Sequence, residues 1–316
     1  MTNFLKKVLF FLVPIILACV FIDIFITKEL KKRPDLVHGE YSTWNDLFDG
    51  KINSDIVIYG SSRAWVHISP KIISDSLNTR AYNLGIDGHN FWLQYLRHSL
   101  LLKHNRKPKL IIHSLDEVTL QKRKELYNLD QFLPYMLLNK DIKDATASYE
   151  GFTFFDYILP AVRYYGKETI ILNSIEQYFE PKNYPAKRIK GYQGQDRAWN
   201  SDFDNAKKKM KYYEVKIDTP SLILFERYLK ECKANGINIV FVYTPEYIEG
   251  QLFVKNRKQI IDLYTNFSVK YKIPFYDYSK DTMSYQKKYF YNALHLNKTG
   301  AELFTTKLTQ KLKSIY

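Results

Sequence analysis

Short apolar runs alternate along this chain with segments of helical periodicity. Of all its sequence features, this alternation restricts the possible folds most strongly. We predict strands at "IVIY" (56–59), "RAYNLG" (80–85), "KLIIHS" (109–114), "INIVFVY" (237–243) and "IPFYDY" (273–278). The predicted helices follow the Ser69-Pro70 cap, span 90–105, run from Pro220 to Gly236, cover Gln251 to Lys270, and follow Asn297. Apolar strands that alternate with helices are typical of a parallel sheet covered on both faces.

A long insertion interrupts this pattern after the third predicted strand. It spans about 117–218, roughly 100 residues, which is far longer than an ordinary loop. Its first half is apolar and aromatic, and its second half is polar and rich in turn residues. We predict a few helices and a long surface loop, which either covers the active face as a lid or packs as an appendage.

The N-terminal segment is apolar from Val8 to Ile26, apart from Asp23. As a helix it would be about 28 Å long, close to the thickness of a bilayer core. We predict an uncleaved transmembrane anchor over 1–27. The alternatives are a cleaved signal peptide, a lipoprotein signal ending at Cys19, and a buried core helix; Leu17 is bulky for a lipoprotein signal. More basic residues follow the span than precede it, which taken literally keeps the C-terminal domain in the cytoplasm; long domains translocate largely regardless of flanking charge, so the orientation stays open.

Composition excludes several classes of protein. A hydrophobic content of 46% and a charged content of 25% are typical of a globular protein. The net charge of +14 comes from basic residues spread over the whole chain, which favours a solvated surface over a nucleic-acid site. The alternative is a basic face that attracts an acidic glycan or the membrane surface. Cys19 and Cys232 are too few and too far apart for a disulfide framework or a clustered metal site.

The motif "GSSR" (60–63) follows the first predicted strand directly. Ligands bind at the carboxyl ends of strands in such sheets, so Ser62 is a candidate nucleophile, and its backbone N–H could hold an oxyanion. A serine needs a base, and His295 lies before the last helix, at the same edge of the sheet. The simpler interpretation is that 60–63 form only a tight turn.

Three blocks, "GSSR" (60–63), "NLGIDG" (83–88) and "NALHLN" (292–297), resemble in order and placement the motif blocks of the SGNH/GDSL hydrolase family. The resemblance is closest to membrane-anchored, GSSR-containing members of bacterial cell-envelope polysaccharide systems. It covers 55–116 and 237–316 but not the insertion. It implies an SGNH-like domain over 28–316, a three-layer α/β/α fold with a five-stranded parallel sheet in the flavodoxin-like order 2-1-3-4-5.

The resemblance also implies roles for individual residues. Ser62 would be the nucleophile, His295 the general base, and Gly88 a second oxyanion donor through its backbone N–H. Two positions depart from the family pattern. Asn292 replaces an aspartate, and although its amide oxygen can orient the histidine, it cannot offset an imidazolium charge. Asp116 replaces an asparagine oxyanion donor, and an ionised carboxylate has no proton to donate.

The implied function is acyl-ester chemistry on cell-envelope polysaccharide. The enzyme would be an O-acetyl esterase or an O-acyltransferase that works through an acyl-enzyme, with no metal or organic cofactor. A multi-span membrane acyltransferase is the implied partner, and the catalytic domain would lie on the extracytoplasmic side. One alternative is a catalytically impaired glycan-binding or assembly subunit; another is a lipid or thioester hydrolase.

Overall fold

Within residues 2–88 and 90–316, which the computed structural model of the protein describes, five strands form one parallel sheet. The strands are β1 (Ile56–Gly60), β2 (Ala81–Asn83), β3 (Leu110–Leu115), β4 (Asn238–Tyr243) and β5 (Phe275–Asp277). Their order across the sheet is β2-β1-β3-β4-β5, and every neighbouring pair is parallel. The predicted fold class and strand order are therefore confirmed.

Helices connect and surround these strands. The α-helices are α1 (Thr2–Lys31), α2 (Glu40–Phe48), α3 (Ser62–His67), α4 (Pro70–Leu77), α5 (Phe91–His104), α6 (Lys140–Thr146), α7 (Phe154–Ile158), α8 (Glu168–Phe179), α9 (Asp202–Lys209), α10 (Thr219–Ala234), α11 (Ile248–Phe253), α12 (Arg257–Tyr271) and α13 (Lys298–Leu312). Short 3-10 helices cover Val37–Gly39, Leu129–Phe132, Val162–Tyr164, Thr282–Tyr285 and Lys287–Tyr289.

Polar side chains cap the helices that border the sheet. The Ser69 hydroxyl accepts a bond from the Ile72 N–H at the start of α4, where Pro70 is the first helical residue. The Asn297 side chain accepts a bond from the Gly300 N–H at 3.0 Å at the start of α13. Such caps satisfy N–H groups that have no partner inside the helix. Both helices thus begin where the sequence predicts.

The single helix expected over Gln251–Lys270 is wrong, because the chain forms α11 and α12 with a break between them. At the break, Val254 forms a bridge with Tyr213. The Asn256 side chain also accepts a bond from the Val215 N–H and donates one to the Val215 carbonyl, each at 2.9 Å. Pairing with the insertion therefore overrides helical periodicity that is continuous in the sequence.

The core holds the central strands rigidly. Strands β1 and β3 are buried along their whole length. Ile58 and Ile112 pair across these strands and pack with Val240 of β4. Ile73 of α4 and Phe304 of α13 belong to the same cluster. Full burial of an aliphatic side chain contributes about 1.5–3 kcal/mol. The core therefore stabilises β1 and β3, whose carboxyl ends carry the candidate site.

The chain divides into two compact units. The first contains 1–45 and 124–187, and the second contains 46–123 and 188–316. The insertion is therefore shared, since 124–187 fold with α1, whereas 117–123 and 188–218 fold with the sheet.

Helix α1 packs against α8 within the first unit. Its Lys6–Lys31 segment is the only stretch of the described residues that is long and apolar enough to cross a membrane. Length and composition thus fit a single-pass anchor. The side of the membrane on which the rest of the chain lies stays a prediction.

Candidate active site

Ser62 and His295 meet at the carboxyl edge of the sheet. Ser62 is the first residue of α3 and follows β1 after one residue, and His295 lies in the loop before α13. The Ser62 Oγ and His295 Nε2 atoms are 2.8 Å apart. This distance lies within the range over which a base can take a proton from a hydroxyl nucleophile.

Asn292 lies on the other side of the imidazole ring. Its Oδ1 atom is 3.0 Å from His295 Nδ1 and also accepts bonds from the backbone N–H groups of His295 and Leu294. Because an amide oxygen can only accept hydrogen bonds, the His295 Nδ1 atom that faces it must carry the proton. The Nε2 lone pair is then free to face Ser62, which is the tautomer that a general base needs.

Asp202 holds the amide of Asn292 from behind. The Asn292 Nδ2 atom donates to Asp202 Oδ2 at 3.2 Å. Asp202 begins α9, and the preceding Asn200 ties this segment to the histidine loop through a 2.8 Å bond from its N–H to the Tyr291 carbonyl. A carboxylate is therefore present one residue further from the histidine than in a Ser-His-Asp triad. Nothing in the sequence marks Asp202 for this role.

Asp116 is engaged by the residue next to the nucleophile. The Ser61 hydroxyl donates to Asp116 Oδ2. The other carboxylate oxygen accepts bonds from the Val118 N–H at 3.1 Å and the Thr119 hydroxyl at 3.0 Å. The pKa of Asp116 is raised, mainly by burial and secondarily by the charge of the neighbouring Glu117. The structure thus directs this side chain to Ser61 and to the loop after β3.

Gly88 lies in the turn that follows β2, with a φ of +65°. The same loop is joined to the serine turn by a 3.0 Å bond from the Ile86 N–H to the Gly60 carbonyl. His89, which follows, is outside the described residues. The second motif block therefore lies beside the first, and the oxyanion role of Gly88 stays a prediction.

A buried charge cluster lies behind the serine turn. Arg63 donates to Glu117 at 3.1 Å, to Glu246 at 2.6 Å, and to the hydroxyl and carbonyl of Thr244. Burial raises the pKa of Glu246 to about 8, with Glu117 adding to the shift. Burial also acts to raise the pKa of Glu117, but Arg63 brings it below its ordinary value. Arg63, together with Arg257 at 3.6 Å from Glu246, offsets the negative charge of these buried carboxyl groups.

His67 positions the loop that carries the base. Its Nε2 atom accepts a 2.9 Å bond from the Leu296 N–H, and its Nδ1 atom is 2.8 Å from the Thr244 hydroxyl. Burial and the charge of Arg63 hold the pKa of His67 well below its ordinary value, so the ring is neutral. Sequence reasoning missed this role; the usable signal was that His67 lies five residues after Ser62, between the first predicted strand and the Ser69 cap.

His295 is itself a weak base. Burial, with a further contribution from Arg63, lowers its pKa to about 4, and Glu117 and Asp202 act in the opposite direction. The Tyr291 ring stacks on the imidazole, with centroids 5.3 Å apart and planes 6° apart. The histidine is therefore neutral at pH 7, as a proton acceptor must be.

Close backbone packing explains the glycine and asparagine of the first two motif blocks. Gly60 has a φ of +143°, and a Cβ there would lie 2.5 Å from the Ser114 carbonyl oxygen. The Asn83 side chain donates to the carbonyls of Ala64 and Ile68, each at 2.8 Å. These residues hold α3 against the sheet, so they set the direction in which Ser62 points.

The last part of the insertion runs along the same edge of the sheet. The Arg188 guanidinium lies 4.0 Å from the centroid of the Trp65 ring, and the Gln193 N–H bonds the Trp65 carbonyl at 3.2 Å. A Cβ at Gly191 would lie 1.7 Å from the Asn83 carbonyl oxygen, so only glycine fits there. Segment 188–202 is therefore part of the wall of the site.

No family model matches the sequence, and no curated protein is significantly similar to it. The chain is similar to several solved structures. A proposed lipolytic protein of the G-D-S-L family from Desulfitobacterium hafniense aligns at 11% identity over 81% of this chain and 98% of its own, with a TM-score of 0.40. An acetyl xylan esterase aligns at 10% identity over 82% and 98%, with a TM-score of 0.40. A GDSL-like lipase from Bacteroides thetaiotaomicron aligns at 13% identity over 87% and 98%, with a TM-score of 0.37.

Proteins with so little similarity need not share an activity. The chemistry of this chain therefore has to be argued from its own side chains.

Proposed function

We propose that the chain is a serine-type acyl-ester enzyme, an O-acetyl esterase or O-acyltransferase, that acts on cell-envelope polysaccharide. The observation that carries this proposal is the continuous set of contacts from Ser62 through His295 to Asn292. The polysaccharide substrate, an extracytoplasmic domain and a multi-span acyltransferase partner rest on the resemblance of the three motif blocks.

In the proposed reaction, Ser62 Oγ attacks the acyl carbonyl carbon while its proton passes to His295 Nε2. The negative charge that forms on the carbonyl oxygen would be held by the N–H groups of Ser62 and Gly88. His295 then gives its proton to the leaving alcohol, and the ester bond of the substrate breaks. Water in an esterase, or a sugar hydroxyl in a transferase, then attacks the acyl-enzyme and gives its proton to His295. The ester bond to Ser62 breaks, and His295 returns that proton to Ser62 Oγ.

The amide of Asn292 sets the rate of this reaction. It orients His295, but it carries no charge to stabilise the imidazolium that forms during attack. In serine proteases, replacing the triad aspartate with asparagine lowers turnover by about 10⁴-fold. Asp202 compensates in part, because its carboxylate faces the same amide. We therefore expect a slow enzyme.

The test is labelling of the purified full-length protein with a fluorophosphonate, together with hydrolysis of p-nitrophenyl acetate. Wild type should be labelled, and Ser62→Ala should not. Ser61→Ala is the matched control, since it removes the adjacent hydroxyl and leaves the contact with His295 in place. Deacetylation or acetylation of isolated envelope glycan would then separate the esterase from the transferase.

Asn292 also supports a second candidate, a glycan-binding or assembly subunit that has lost its catalytic acid. In that case wild type would resist the phosphonate and yet bind envelope glycan. Ser62→Ala would leave this binding unchanged, because binding would not depend on the nucleophile.

A further inference from the structure

The first unit exposes large apolar side chains on elements other than α1. These lie on α7, on the segments after α7 and after the 3-10 helix Val162–Tyr164, and on α8. We call them the aromatic rim, and they are Phe154, Phe155, Leu159, Tyr165, Leu172 and Phe179. Tyr165 is 91% exposed and Phe179 is 74% exposed. Isolated exposed apolar residues are ordinary, whereas a concentration of them on neighbouring elements calls for a partner.

The elements of the rim are packed against one another and against α1. Helix α7 contacts the 3-10 helix, the 3-10 helix contacts α8, and α8 runs along α1. The rings of Phe25 on α1 and Tyr178 on α8 have centroids 5.2 Å apart in an edge-to-face arrangement. The rim is therefore carried by a layer of chain that packs on one side of α1.

An ion pair shows which part of α1 this is. Arg163 donates to both carboxylate oxygens of Asp23, at 2.5 and 2.9 Å, and the Ala161 N–H donates to the same carboxylate at 2.7 Å. Charged residues in membrane spans are tolerated when they pair inside protein. The layer therefore meets α1 at Asp23, near the end of the apolar segment.

The length of α1 then places the bilayer. From Val8 to Ile22 the helix is about 22 Å long, whereas a bilayer core is about 30 Å thick. A core of that thickness that begins at Val8 reaches past Asp23 to Ile26, where one side of α1 is exposed at Ile24 and the other is buried at Ile26. The outer surface of the covering layer then faces lipid.

From this we propose that the aromatic rim is seated in the interfacial layer of the bilayer that α1 crosses. Aromatic side chains concentrate at the membrane–water interface. The same helices also carry acidic residues, namely Asp156, Glu168 and Glu176. Acidic side chains are compatible with the interfacial layer but not with the hydrocarbon centre. The inference rests on α1 being a membrane anchor, and it does not depend on catalysis.

Fluorescence quenching in liposomes tests the proposal. The full-length chain carries Cys19→Ala, which leaves the buried Cys232 as the only native cysteine, and a single introduced cysteine bears a fluorophore. Tyr165→Cys and Phe179→Cys report the rim, and Leu17→Cys reports the anchor. Leu252→Cys is the matched control, since Leu252 is an apolar residue with 77% exposure in the second unit. Two lipids serve as quenchers: one carries a nitroxide near its glycerol backbone and reports the rim and Leu252 labels, and the other carries it near the end of an acyl chain and reports the Leu17 label.

We expect the rim labels to be quenched several-fold more strongly than the Leu252 label. Quenching at Leu17 with none above control at the rim would overturn the proposal and leave the anchor standing. Absence of quenching at Leu17 would overturn both. The rim would instead contact a protein partner if its labels were shielded from iodide in native membranes but unquenched in liposomes that contain this chain alone. Phosphonate labelling of the same variants reports the proposed function separately.

Discussion

The histidine loop and the end of β3 depart from the family pattern in opposite ways. In the loop, an amide, Asn292, stands where the resemblance implies a carboxylate. After β3, a carboxylate, Asp116, stands where it implies an amide. The first change keeps the geometry, because an amide oxygen still accepts the bond from His295. The second does not, because Asp116 accepts bonds from Ser61 and Thr119 and has no proton to offer when ionised.

Neighbouring residues complete each site differently. Asp202 lies behind Asn292 and brings a negative charge towards the histidine. The donors around Asp116 instead bind it into the serine turn. Under the proposed function, the histidine loop serves catalysis, whereas the end of β3 supports the serine turn. The following variants test this contrast.

The two adjacent serines should give the largest difference. Ser62→Ala removes the hydroxyl that contacts His295, so we expect a loss of hydrolysis on the order of 10⁴-fold or more. Ser61→Ala removes a donor to Asp116, so it should lower the free energy of unfolding by about 1–3 kcal/mol and leave most of the rate. Kinetics and urea unfolding of both variants measure the difference. Equal effects would mean that 60–63 form only a turn.

Asn292→Asp should give the next largest effect. A carboxylate at this position stabilises the imidazolium and raises the rate by up to roughly 10³–10⁴-fold. The single variant places two carboxylates together, so Asn292→Asp combined with Asp202→Asn should be faster still. Initial rates with p-nitrophenyl acetate provide the measurement. A wild type that resists phosphonate and a double variant with no gain would remove the support for catalysis.

The pH profile of the wild type follows from the base. Only neutral His295 can accept the proton of Ser62, and its pKa of about 4 means that the ring is neutral above that pH. The rate should therefore fall only as the pH drops through about 4, and not near the ordinary value of 6.5. Asn292→Asp raises the pKa, so its acid limb should move to higher pH. A wild-type acid limb near 6.5 would contradict this assignment.

Asp202→Asn should have a smaller effect. It removes a charge that lies behind the amide and is exposed to water, which costs about 0.2–1 kcal/mol, or up to about fivefold in rate. Because Asp202 acts to raise the pKa of His295, the acid limb should move to lower pH. Asp204→Asn, on the same helix, is the control and should leave the limb in place. An unchanged profile for both would limit Asp202 to a structural contact.

Asp116→Asn should change the rate least. The amide is the residue that the resemblance implies as a donor, but the side chain is directed at Ser61, so we expect a change below about fivefold. Loss of one acceptor should lower the unfolding free energy by about 1–3 kcal/mol. A large gain in rate would show instead that this side chain reaches the oxyanion, and that the end of β3 is catalytic after all.

The sheet could be predicted because its strands are short apolar runs between helices with recognisable caps such as Ser69 and Asn297. The contact of Ser62 with His295 could be anticipated because both follow strands at one edge of a parallel sheet. Asp202 could not be, since it lies in an irregular insertion far from Asn292 in sequence. The break between α11 and α12 also escaped prediction, because it depends on pairing with Tyr213 and Val215.

The serine turn has a consequence for how relatives of this chain should be judged. Gly60 is required by the Ser114 carbonyl, Ser61 caps α3 and bonds Asp116, and Arg63 balances the buried carboxyl groups. Only Ser62 faces the base. Three of the four motif residues therefore have structural roles, and selection for folding alone would preserve them. A homologue that keeps these three and replaces Ser62 should fold normally as a pseudoenzyme, so sequence surveys of the motif should score its third letter separately.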